Sequence, residues 1–167
     1  MSSISKAKDE PKEQLWDQID SLHVVMLGSP DPAEHMQPMS PQLAREEEAI
    51  WFYARKDSDI ARASNGGGKV HLCVMSKDQD YQACLHGTLE EVYSPQHIER
   101  FWSSMTEAWF PGGKSDPALT MLRFKPHNAA IWASTNSVLR LGWEVAKANL
   151  TGEEPDVGYR TEISFAA

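Results

Sequence analysis

Lys69-Val70-His71-Leu72-Cys73-Val74-Met75, a polar break at Ser76-Lys77-Asp78-Gln79-Asp80, and Tyr81-Gln82-Ala83-Cys84-Leu85-His86-Gly87-Thr88-Leu89-Glu90-Glu91-Val92 together decide the fold class. The two arms read as strands and the break as the turn between them, which predicts an antiparallel hairpin. On each arm alternate residues share a face. His71 and Cys73 therefore project together, as do Cys84 and His86.

Working outward, Ile50–Ala54 reads as a strand with an aromatic centre. His23–Gly28 reads as a short buried strand closed by Ser29-Pro30-Asp31-Pro32. His35–Gln42 is extended but carries Pro38 and Pro41; proline cannot donate to a ladder, so this strand is an edge or irregular. Arg45-Glu46-Glu47-Glu48 is a solvated turn. Leu15, Trp16, Ile19 and Leu22 recur at helical spacing and predict an amphipathic helix over 11–22. Asp57 or Ser58 N-caps a short helix running to Ser64, which Asn65-Gly66-Gly67-Gly68 terminates. Ile98, Phe101, Trp102, Met105, Ala108 and Trp109 predict one further helix, stopped by Phe110-Pro111-Gly112-Gly113. Two more strands, Leu119–Phe124 and Ala129–Ala133, are expected on either side of Lys125-Pro126-His127-Asn128. Val138–Leu150 is ambiguous: its first part also fits an extended strand, while Trp143–Asn149 reads better as helix, and the tail is polar from Gly152 until Ile163–Phe165. This order lacks regular strand–helix–strand alternation, which argues against a doubly wound sheet. A mainly antiparallel barrel with helices at its ends or gaps fits it.

The 167 residues suit one domain over 11–167, preceded by residues 1–10 as a disordered lead-in. With 16 Lys+Arg against 24 Asp+Glu, the net charge of −8 argues against a duplex nucleic-acid binder, which displays a basic stripe. The longest apolar runs, Val24–Leu27 and Ala129–Ala133, fall far short of the about 20 residues a bilayer span needs. Residues 1–13 mix both charges and lack the apolar stretch of a signal peptide. Cys73 and Cys84 are too few for a disulfide scaffold. These features predict a cytoplasmic protein that binds neither nucleic acid nor membrane.

Motifs that carry chemistry are sparse. Gly113-Lys114-Ser115 resembles the end of a phosphate-binding loop, but the required glycine five residues earlier is Ala108, within a helix. His71, Cys73, Cys84 and His86 form a chemically sensible zinc set if 73 pairs with 84 and 71 with 86. Single-residue spacings on a flat face do not wrap a tetrahedral ion, so cross-strand packing is the expected reading and no metal is assigned. Spacing alone singles out no catalytic triad. Trp51, Trp102, Trp109 and Trp132, taken singly, are expected in the core.

Several segments together point further. Leu15-Trp16, His23-Val24-Val25-Met26-Leu27, Gln37-Pro38-Met39, Ile50-Trp51-Phe52-Tyr53-Ala54 and the Arg55–Ser58 turn come in the first half. Lys69-Val70-His71-Leu72, Gly87-Thr88-Leu89-Glu90, Trp109-Phe110-Pro111-Gly112-Gly113 and Ile131-Trp132 complete the series. Read in order over roughly residues 11–165, they resemble the general stress protein 26-like branch of the pyridoxamine 5'-phosphate oxidase-like, FMN-binding split-barrel family. The resemblance implies a six-stranded antiparallel split β-barrel with peripheral helices that forms a homodimer and holds flavin in clefts between its subunits.

By that resemblance, Gln37, Pro38 and Met39 pass the isoalloxazine. Tyr53, Ala54, Arg55 and Ser58 follow the ring and hold the phosphate at the start of the short helix, where amide donors and the dipole favour an anion. Trp109 or Trp132, from either subunit, covers the ring. The cofactor implied is FMN, with FAD or none as alternatives. Three positions depart from the family's pattern: Gln37 stands for the usual Arg, Ala54 for Thr, and Ile60 for Lys, with Arg55, Lys56 and Arg62 close by as substitute charges. Three functions therefore stay open. They are a flavin-dependent oxidoreductase linked to stress response, a protein that stores or senses flavin without turnover, and a barrel without flavin that acts through protein interaction.

Overall fold

The computed structural model describes residues 3–31, 34–135 and 137–166. Strands β1 (Val25–Gly28), β2 (Gln37–Met39), β3 (Gln42–Ala44), β4 (Ala49–Arg55), β5 (Gly68–Met75), β6 (Tyr81–Glu91), β7 (Leu119–Ser134) and β8 (Gly158–Ser164) form one sheet. Its order is β2-β1-β5-β6-β7-β4-β3, with β8 added on β7, and every pairing is antiparallel. The predicted hairpin is β5–β6, with Cys73 opposite Cys84 and His71 opposite His86.

The two ends of that order, β2 and β3, are neighbours in the chain, separated by Ser40 and Pro41 alone. Met39 and Gln42 are three residue steps apart, at most about 10 Å, so the sheet's edges meet and it closes into a split barrel. The proline-bearing stretch read from sequence as one irregular strand is this seam: it pairs with β1 on its first half and with β4 on its second. Counted as one interrupted strand, it brings the ring to the expected six members, and β8 lies outside the ring. The inward faces of β1, β4, β5, β6 and β7 share one core with Val70, Leu72, Leu85, Leu122, Phe124 and Ile131. Helix α2 (Pro11–Asp20) plugs it with Leu15, Trp16 and Ile19.

Three expectations are corrected and one open reading is decided. Within the stretch read as a disordered lead-in, Ser3–Asp9 forms α1, which buries Ile4 and Ala7. Contacts with β7 and β8 stabilise it, and these involve partners far away in sequence. The helix expected over 98–109 is two, α4 (Pro95–Phe101) and α5 (Ser104–Trp109). Trp102 is extended between them, and Ser103 caps α5 by accepting from the Thr106 N–H at 3.2 Å. The two strands around Lys125–Asn128 are one, β7. A bulge between His86 and Gly87 absorbs the extra residue. Pro126 lies between the segment paired to β4, which ends at Phe124, and that paired to β8, which starts at Asn128. Finally, Val138–Thr151 is wholly helical, α6, capped by Ser137 and ended by Gly152 in the left-handed conformation. No helix among the described residues is long and apolar enough to cross a membrane.

Candidate functional site

The seam carries two cavities, side by side along residues 34–42. The first, about 570 Å³, is lined by Gly28, His35, Gln37 and, from α3 (Asp59–Ala63), by Asp59, Ile60 and Arg62. The second, about 380 Å³, has the more apolar lining: Pro38, Met39 and Ser40 from the seam, Tyr53, Ala54 and Arg55 from β4, and Met105, Trp109 and Phe110 from α5 and its end. Its position follows from the fold. β2 and β3 each have a ladder partner on one side only, so the sheet surface opens at the seam, and α4–α5 builds a wall beside the opening.

That wall is fastened at several points. The Tyr53 hydroxyl donates to the Ile98 carbonyl at 2.8 Å. Burial, helped by the charge of Glu99, pushes the Tyr53 phenol up to about 12, so it stays a donor at neutral pH. His97 stacks on Trp51 at 3.9 Å and bonds Glu47 at 2.7 Å and Ser94 at 2.7 Å, tying α4 to the turn before β4. Beyond α5, Asp116 accepts from the Ala118 and Gly112 N–H groups, which hold its carboxyl below the usual range.

Of the residues expected to contact a ligand, Pro38, Met39, Tyr53, Ala54, Arg55 and Trp109 meet in the second cavity. Gln37 opens onto the first. Ser58 lines neither cavity: it caps α3, accepting from the Ala61 N–H and donating to the Arg55 carbonyl at 2.7 Å, which places it behind Arg55. Trp132 lies on another part of the sheet, beside Cys84, His86 and Glu162, with Arg160 over its ring at 5.8 Å. At the departing positions, Ile60 and Ala54 are both buried against the core. Arg62 reaches the first cavity and Arg55 the second, each also paired with a carboxylate, Asp59 and Asp57. Lys56 lines neither cavity.

Sequence reasoning missed Ser103, Met105 and Thr106 as cleft residues. Met105 and Trp109 fit the apolar face of one long helix, yet both are 75% exposed, because the break at Trp102 turns α5 away from the core. The Ser-x-x-Thr pattern at 103–106 was the available signal for that break. Trp51, by contrast, is buried as expected. Among the described residues no three metal-ligating side chains converge on a common point.

The profile described as pyridoxamine 5'-phosphate oxidase like matches residues 10–156. Among solved structures, a general stress protein 26 from Jannaschia sp. CCS1 is 32% identical, with a TM-score of 0.77 over 93% of this chain and 99% of that one. The general stress FMN/FAD binding protein from Xanthomonas citri is 32% identical, with a TM-score of 0.70 over 76% and 91%. A general stress family protein from Xanthomonas campestris pv. campestris is 31% identical, with a TM-score of 0.66 over 76% and 90%. No curated protein matches the chain. Closed seam, helical wall and profile agree, and the chain belongs to the pyridoxamine 5'-phosphate oxidase-like family.

Proposed function

We propose that the seam cleft binds a flavin, FMN in the first instance, and that the protein works in the cytoplasm as a homodimeric flavin-dependent redox protein. The observation that carries this reading is the lining of the second cavity. A flat apolar ring system needs apolar walls and a planar cover, and Pro38, Met39, Ala54 and Trp109 supply them. Tyr53, held by its bond to the Ile98 carbonyl, stands in the same wall. Arg55, at the same cavity, and the N–H groups at the start of α3 behind Ser58 are the cationic and donor groups for a phosphate. The Xanthomonas citri relative, a named FMN/FAD binding protein, supports the same ligand class.

Bound flavin would supply the two-electron chemistry. The cleft's own residues orient the ring and exclude water. Among the described residues no Asp, Glu, His, Lys or Cys lines the second cavity, and its one phenol is bonded to the Ile98 carbonyl.

Helix α6 presents the surface that a second subunit would cover. Val138, Leu139, Trp143 and Leu150 are all largely exposed, and no residue of this helix is buried. Together with exposed Met105 and Trp109 at the cleft mouth, this is more apolar surface than a lone domain normally leaves open. Titration of the purified protein with FMN, followed by flavin fluorescence and visible absorption, tests the ligand; saturable quenching at micromolar FMN is expected, and no quenching refutes flavin binding. Anaerobic NADPH then separates the roles, because bleaching marks an oxidoreductase and an unchanged spectrum marks storage or sensing. Sedimentation as a folded monomer at micromolar concentration would refute the dimer.

A further inference from the structure

Outside the cleft, one pair of side chains is set for chemistry that the flavin reading does not use. Cys73 on β5 and Cys84 on β6 stand directly opposite each other, with Sγ atoms 3.9 Å apart and no disulfide between them. The ladder's phase strengthens the case. The Ser76 N–H donates to the Tyr81 carbonyl at 2.9 Å, so 76/81 is a hydrogen-bonded pair. Hydrogen-bonded and open pairs alternate along an antiparallel ladder, and stepping back three residues on each strand makes 73/84 an open pair. Open pairs bring Cα atoms to about 4.5 Å, inside the range a disulfide spans. Sulfurs at 3.9 Å need only side-chain rotation and a small approach of two already adjacent strands to reach the about 2.05 Å of an S–S bond.

We propose that Cys73 and Cys84 form a two-electron oxidation site that reacts with hydroperoxides and closes to a cross-strand disulfide. Cys84 meets the oxidant, because it lines a cavity of about 430 Å³ on the outer sheet face with His71, His86 and Trp132. Its sulfur attacks the peroxide's outer oxygen, the O–O bond breaks, and the products are Cys84 sulfenic acid and an alcohol, or water from hydrogen peroxide. The Cys73 sulfur then attacks the Cys84 sulfur, the S–O bond breaks, and the leaving hydroxide takes the Cys73 proton to become water. The two thiols together lose two electrons and two protons, and the peroxide is reduced by two electrons. Cys73 is the resolving partner: it does not line that cavity, and burial beside Cys84 pushes its thiol up to about 11, so it reacts only with a sulfur already in contact. Its other neighbours across the sheet are Met26 on β1, facing Cys73, and Ala130 on β7, facing Cys84. Neither competes for the sulfur.

The full-length reduced protein, treated with one equivalent of hydrogen peroxide, quenched with iodoacetamide and digested with trypsin without reductant, provides the test. Trypsin cuts after Lys69, Lys77 and Arg100, placing Cys73 in 70–77 and Cys84 in 78–100. The expected result is loss of both alkylatable thiols, a linked 70–77/78–100 pair in protein that still runs as a single chain, and recovery of both thiols with dithiothreitol. In Cys73→Ser the expected product is a Cys84 sulfenic acid trapped by dimedone; in Cys84→Ser, Cys73 stays alkylatable. Peptides that are modified singly but never linked would overturn the proposal, as would linkage only between separate chains. The assay needs no flavin, so its outcome is independent of the cleft.

Discussion

Replacing Trp109 with alanine separates a ligand contact from a structural one, because the indole is 75% exposed. Of the roughly 250 Å² a Trp side chain can bury, only about 60 Å² is covered by the protein itself, worth at most ~1.5 kcal/mol at 25 cal/mol/Å². For a domain of this size that lowers Tm by no more than about 3–6 °C. A flavin lying against one face of the ring would cover about half of what remains, ~90 Å², or ~2 kcal/mol. Trp109→Ala is therefore expected to weaken FMN binding by about thirtyfold while leaving a folded protein. Quenching titrations of flavin fluorescence give the first quantity and thermal melts the second. A variant that binds FMN within twofold of the parent would refute the placement of the ring beneath Trp109.

Two further outcomes probe the frame around the cleft. Gly87→Ala would set a Cβ 2.3 Å from the Lys125 carbonyl oxygen and 2.6 Å from the Phe124 ring, so urea unfolding should show a loss of at least about 1–3 kcal/mol; an unchanged midpoint would contradict the bulge geometry. His86 sits in a row with His71 and His127, at ring separations of 5.6 and 5.5 Å, and burial, then His127, His71 and Lys69, lower its pKa. A base whose pKa falls on folding binds protons better when unfolded, so stability declines as pH falls from the ordinary histidine range toward the lowered value. His86→Gln should lose less stability than the parent between about pH 7.5 and pH 5.5 in paired urea titrations, and equal losses would count against this crowding.

The hairpin was legible because the two strands are joined by a five-residue break and the alternation leaves one face for the core; its register, with 73 facing 84, stood only as one possible pairing. Pro126 reads as a strand breaker in any local view. Only the change of partner from β4 to β8 makes a proline tolerable inside β7, and that change is a property of the assembled sheet. Ile4 and Ala7 gave too little apolar pattern to announce a helix whose partners in the sheet, β7 and β8, lie more than a hundred residues away. In the cleft, Pro38 signalled an irregular strand by its chemistry. That Tyr53, Ala54, Arg55 and Trp109 gather beside it rested on resemblance, since none of these residue types at those spacings implies a site. Ser58 looked like a ligand group because a cap and an anion site begin with the same residue, and its hydroxyl turned out to be engaged within the chain.

Strands β7 and β8 are antiparallel neighbours whose last pair is Ser134 and Gly158, so everything between them is topologically the loop of one hairpin. The ends of that loop sit a single strand spacing apart, about 5 Å, a distance that a two-residue turn closes. The sheet has no need of a fourteen-residue helix there. Helix α6 is in effect a cassette carried at a turn: it can be lengthened, shortened or exchanged without changing one backbone pairing of the barrel. Its apolar surface can therefore change independently of the framework that displays it.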